Sequence, residues 1–156
     1  SISNYLINAE DITHRVTRNL KRFIEDSEIR IIQIALREVI INSIEHGNLG
    51  VTFQDKTNAM ESNRYFELIR EKQIASDKRD KKVHIEYIIN NDRAAFIISD
   101  EGEGFEHKDF LKENTNTNNE MLAHGRGLSI IMNVFDEVKF NKKGNLVMLV
   151  KYFPCK

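Results

Sequence analysis

Apolar residues recur at helical spacing through the first third of the chain. Ile12, Val16, Leu20 and Phe23 or Ile24 predict an amphipathic helix over Ile12 to Glu25. "EDSE", Glu25 to Glu28, supplies cap and turn chemistry, with Ser27 as N-cap. In "EIRIIQIALREVIINSIEHGNLG", the positions Ile31, Ile34, Ala35, Val39, Ile41 and Ile44 keep a helical period, and Gly47 is a natural helix end. Residues 48–79 form a polar insertion, in which "NAMESNRYFELIREKQI" accommodates one short helix or a helix pair. The period then changes. Val83, Ile85, Tyr87 and Ile89 alternate and predict a strand. "NNDR" is a turn, "AAFIISD" a strand apolar on both faces, and the two strands an antiparallel hairpin. Residues 106–124, including "NTNTNNE", read as a mobile polar loop. "GRGLSIIMNVFD" reads as a glycine turn opening a helix, and "EVKFNKKGNLVMLVKYF" as two strands around a Lys-Gly turn. This order predicts an α+β fold with helices on one face of a mixed, mostly antiparallel sheet.

Composition narrows the classes. The 156 residues, 40% apolar, suffice for one domain's core. A net charge of −1 gives no electrostatic case for nucleic acid or a membrane surface as partner. No apolar run approaches the roughly 20 residues of a membrane span. The start has no basic patch followed by an apolar block, so no secretory signal is visible, and it lacks an initiator Met, which suggests a piece of a longer signalling protein. The single Cys155 excludes an internal disulfide and fits a reducing cytoplasm.

Three stretches carry chemistry. Glu38, Asn42 and His46 stand at i, i+4 and i+8 on one face of the long helix. A carboxylate and an amide oxygen one turn apart can share a hard divalent cation or its bound water. "DEGEGF" ends a strand in Asp100, with Gly102 and Gly104 following. Such a stretch lets a flat ring lie against backbone while Asp100 accepts a hydrogen bond from an exocyclic amine. "HGRGLSII" places Gly125, Arg126 and Gly127 where a helix begins. Backbone N–H groups there, with the helix dipole, favour an anion, and Arg126 could add a bidentate phosphate contact. Each stretch alone is more economically a solvated face, a glycine turn or a loop-to-helix turn. In this order they describe a site with a metal end, a ring end and a phosphate end, which suits a magnesium nucleotide.

On these motifs the chain resembles the ATPase superfamily shared by gyrase, the heat-shock chaperone ATPase, mismatch-repair ATPases and sensor histidine kinases. "LREVIINSIEHGN" is most similar to bacterial anti-sigma factor serine kinases, whose helix pattern is E-x-x-x-N-x-x-x-H-G. The resemblance implies a two-layer α/β sandwich, the Bergerat-type ATP-binding fold. It implies that Asn42 ligates Mg²⁺, that Asp100 binds the adenine amine in a pocket shaped by Gly102 and Gly104, and that Gly125, Arg126 and Gly127 approach the phosphates. It implies Glu38 as general base toward an attacking serine. The partners it implies are an anti-anti-sigma (STAS-type) protein and a sigma factor or similar regulator, in the cytoplasm. A homodimer through "YLINAEDITHRV" is a further expectation. Two departures stand out. Asn145 and Leu146 occupy the stretch where the family usually has Thr, and the 48–79 insertion is longer than the link of the smallest members.

Two functions compete. One is a serine kinase acting on the anti-anti-sigma partner. The other is a non-catalytic, nucleotide-dependent switch that grips a partner protein. A metal-dependent hydrolase using His46, His107 and His124 has no recognised ligand spacing behind it.

Overall fold

The computed structural model describes residues 1–104 and 126–155. A two-residue strand, β1 (Ile2–Ser3), precedes helix α1 (Ile7–Thr17), which continues as a 3₁₀ turn over Arg18–Arg22. The helix thus begins five residues before the predicted Ile12 and ends well before Glu25. Its buried stripe is Ala9, Thr13, Val16 and Thr17, while Ile7 points out. A period anchored on large apolar side chains misses a first turn whose inward residue is alanine. Thr13 and Thr17 bury their hydroxyls by donating to the carbonyls of Ala9 and Thr13, at 2.6 and 2.8 Å.

Helix α2 (Asp26–Asn42) has Glu25, not Ser27, at its N-cap, and no side chain caps it. Asp26 and Glu28 in the first turn complement the positive end of the helix dipole. The inward face is Ile29, Ile32, Ala35, Leu36, Val39 and Ile40. Ile31 and Ile34, counted inward from the periodicity, are 52% and 56% exposed. α2 is apolar on nearly all sides, so isoleucine positions alone do not fix its rotational phase. After Asn42 the helix widens into a π-helical turn, Ser43–Asn48. It therefore runs through Gly47 instead of ending there.

The insertion is a helix pair, α3 (Phe53–Glu61) and α4 (Tyr65–Ile74). Thr52 and Asp55 close a capping box at the start of α3. Strands β2 (Lys82–Ile89) and β3 (Arg93–Asp100) form the expected hairpin, turning where Asn90 N–H donates to the Arg93 carbonyl. Helix α5 (Arg126–Val134) leads to β4 (Glu137–Phe140) and β5 (Leu146–Tyr152).

The five strands lie in the order β1-β2-β3-β5-β4. Among the described residues every pairing is antiparallel, in line with the mixed, mostly antiparallel sheet expected, with no parallel pair among them. Val83, Phe96, Ile98, Val147 and Leu149 present one face of the sheet to α1, α2 and α5, making a two-layer α+β sandwich. Among the described residues, no helix is long and apolar enough to cross a membrane.

Candidate functional site

Between α2 and the ends of β3 and β5 lies a cleft of about 290 Å³. Glu38, Asn42 and His46 line it from α2 and its π turn, and Asp100 and Gly104 from the end of β3. Gly127 lines it from the first turn of α5, and Asn145 from the β4–β5 turn. Segments far apart in sequence therefore share one cavity. Gly102 lies behind this wall. Gly125 and the Arg126 side chain lie outside the described residues, as do the polar loop, His107 and His124.

The glycines show how the site closes. A Cβ on Gly47 would collide with the Asp100 carboxylate, and a Cβ on Gly102 with the Gly47 carbonyl. The π turn, Asp100 and the following loop thus nest against one another with no room for side chains. Gly104, at φ +84°, sits in the left-handed region, and a Cβ there would strike the Lys143 carbonyl. These glycines first admit the protein's own backbone. Gly127 differs: its Cβ would lie 3.0 Å from Asn42 Nδ2 and 3.5 Å from Glu38 Oε2. The bare start of α5 therefore packs closely on the amide and acid of α2, and all three line the cleft.

Asp100 Oδ1 accepts the Gly102 N–H at 2.9 Å. Burial outweighs this bond and the attraction of Lys143 and Lys81, and pushes the carboxyl up to about 6. A carboxylate with spare acceptor capacity, partly desolvated in a cleft, suits a ligand's N–H donor. The backbone around it is pinned from two sides. Asn145 Nδ2 donates to the Asp100 carbonyl at 3.1 Å while its Oδ1 accepts from Asn141. Buried Asn48 accepts the Glu101 N–H at 2.7 Å and donates to Asn4.

Glu45 is the acid of the π turn itself. It is fully buried, paired with Lys56 at 2.7 Å, and accepts a hydrogen bond from the Tyr65 hydroxyl. His46 bonds the Val51 carbonyl through Nδ1 and stacks on Phe53 with ring centroids 4.2 Å apart. The motif reading gave no role to Glu45 or Asn48 and took Gly47 only as a helix end. Gly47 and Asn48 stood in plain view within "EHGN"; the missing signal was their contact with a strand end more than fifty positions away. Among the described residues, no group of three or more His, Cys, Asp or Glu side chains is placed to hold a metal. A magnesium ion here would depend on the Asn42 amide oxygen together with ligand oxygens and water, a donor set that hard cations accept.

Among curated proteins, none matches the chain. The family model of the histidine kinase-like ATPase domain matches residues 3–151, from β1 into β5. That span contains both layers of the sandwich and every wall of the cleft, so the chain belongs to the histidine kinase-like ATPase domain family, and ATP is the ligand its family implies.

Proposed function

We propose that this domain binds Mg-ATP in the cleft and acts as an anti-sigma-type serine kinase toward a STAS-type anti-anti-sigma partner. The observation that carries the reading is the meeting of Glu38, Asn42, Gly127 and Asp100 on one cavity. In this reading Asp100 receives the adenine amine and fixes which end of the nucleotide enters first. The N–H groups at the start of α5 face the phosphates, where the helix dipole favours negative charge. Asn42 offers its amide oxygen to magnesium, which, when bound, neutralises phosphate charge. Glu38 stands close to Gly127 and takes the proton from the partner's serine hydroxyl as its oxygen attacks the γ-phosphorus. ADP leaves, and the partner carries the phosphoryl group.

Transfer of label from γ-labelled ATP to the partner serine tests this directly. Glu38→Ala is expected to abolish transfer while leaving nucleotide affinity within a few-fold. Equal transfer by the variant removes Glu38 as base. One observation favours the alternative, a nucleotide-dependent switch without phosphoryl transfer. Asn145, in the stretch where a ligand-holding Thr is usual in similar proteins, has both ends of its amide engaged within the protein. Calorimetry separates the readings: tight Mg-ATP binding by a protein that transfers no label supports the switch.

A further inference from the structure

None of the three motifs lies on α3, yet α3 forms one side of the cleft. Phe53, Lys56, Thr57 and Met60 line it, the i, i+3, i+4 and i+7 face of a single helix. The polar atoms on this face are already committed. Lys56 Nζ lies 2.7 Å from Glu45 Oε2, and the Tyr65 hydroxyl donates to Glu45 Oε1. Glu45 has no exposed surface, so withdrawing Lys56 would leave a carboxylate in the interior without its counter-ion. The ammonium is therefore a tether. The Thr57 hydroxyl donates to the Phe53 carbonyl at 2.9 Å, inside the helix.

What α3 offers a ligand is apolar. The Phe53 ring is set in place against His46, and Met60, at the cleft, is 54% exposed. A thioether side chain left in water beside a cavity is a ready contact for a flat ring or sugar. Leu128 and Ile131 of α5 and Leu146 of β5 add further apolar lining. The cleft thus has an apolar side built from α3, α5 and β5, with the Asp100 carboxylate at one end and Glu38 and Asn42 of α2 along its other wall.

We propose that α3 is the nucleoside-facing wall of this cleft. Phe53 and Met60 grip the purine and ribose and determine which nucleosides fit, and Lys56 is a positioning residue that ties the wall to Glu45. The proposal rests on the reading that the cleft takes ATP.

Calorimetric titration of wild type, Met60→Ala and Phe53→Ala with Mg-ATP, Mg-ADP and adenosine tests it. A parallel titration follows the methionine methyl resonances of wild type. Met60→Ala is expected to weaken all three ligands by the same factor, about five- to tenfold for loss of a partly buried apolar contact, and Phe53→Ala by the same factor or more. The Met60 methyl should shift with the calorimetric dissociation constant, while Met148, outside the cleft lining, stays put. Unchanged affinities with a static Met60 methyl would overturn the wall and leave ATP binding intact. A loss confined to ATP and ADP would overturn it too, because α3 would then face phosphate. If wild type binds no nucleotide, the wall falls together with the ATP reading. The methyl titration uses wild type and so does not depend on how well either variant folds.

Discussion

Two acids flank the same π turn, and they are treated differently. Glu45 lies inside the turn with no exposed surface, a lysine at 2.7 Å on one oxygen and a tyrosine hydroxyl on the other. Burial and this acid together raise the Tyr65 phenol well above its ordinary value, which keeps it a donor. Asp100 touches Gly47 from the opposite side and has one backbone N–H at hydrogen-bond distance. Burial dominates there and raises its pKa to about 6. An acid whose partners are complete holds parts of a protein together. An acid left short of donors is held ready for something that arrives. The fold sets one of each against the same turn, Glu45 inside it and Asp100 at the strand end pressed on Gly47, so one acid is fully paired while the other keeps acceptor capacity toward the cleft.

The contrast breaks most visibly on the Glu45 side. Lys56→Met removes the counter-ion from an interior carboxylate, a change that costs about 3 kcal/mol. For a domain of this size that lowers the melting temperature by roughly 10 °C. Thermal unfolding followed by circular dichroism is the measurement. The double variant Glu45→Gln, Lys56→Met strands no charge and is expected to recover most of the loss. If the single variant melts with wild type, the pair is no tether.

Changing Asp100 should act in the opposite direction. Its folded pKa of about 6 lies above the ordinary aspartate value of 3.8. Between those values the folded state holds more proton than the unfolded chain. The stability this group contributes is present at about pH 4 and is lost as pH rises through about 6. Asp100→Asn is therefore expected to stabilise the domain by roughly 1–2 kcal/mol at pH 7.5, allowing for its partial exposure, and by almost nothing at pH 4. Urea unfolding at the two pH values checks this. The same substitution should weaken adenosine at least tenfold. For wild type, adenosine affinity should rise between pH 5 and 7 as the carboxylate loses its proton, and adenosine has no phosphate of its own to titrate. A variant both less stable and unaltered in binding would remove the distinction between the two acids.

The same difference marks what could be read from the sequence. Asp100, Glu38 and Asn42, which all line the cleft, stand out in the sequence because their patterns are local: an acid at a strand end before glycines, an acid and an amide one turn apart. The strands of the hairpin are legible for the same reason, since alternation is local. Glu45 is not legible. An acid among isoleucines on a helix looks like a solvated position until Lys56 and Tyr65 come back from the insertion to meet it. Gly47 was read as a helix stop because nothing nearby in sequence reports that Asp100 will press on it. β1 is two residues long and exists only by pairing with Val83 and Lys82. The rotational phase of α2 depends on which of many isoleucines the sheet covers. Long-range contacts decided each of these.

Asn145 gives the smallest and most discriminating test of the Asp100 side. Its amide bonds the Asp100 carbonyl at 3.1 Å and Asn141 at 2.8 Å, so it fixes the backbone that carries the receptive acid without touching the carboxylate itself. Asn145→Ala forfeits two partly buried hydrogen bonds and is expected to cost about 1 kcal/mol in urea unfolding. Affinity for adenosine should fall only two- to fivefold, because Asp100 keeps its pairing with the Asn145 backbone carbonyl. Asn145→Thr should retain part of both effects, since a hydroxyl still offers one donor. If Asn145→Ala instead abolishes binding while stability is unchanged, Asn145 contacts the ligand itself, and the floor of the cleft contains two receptive groups.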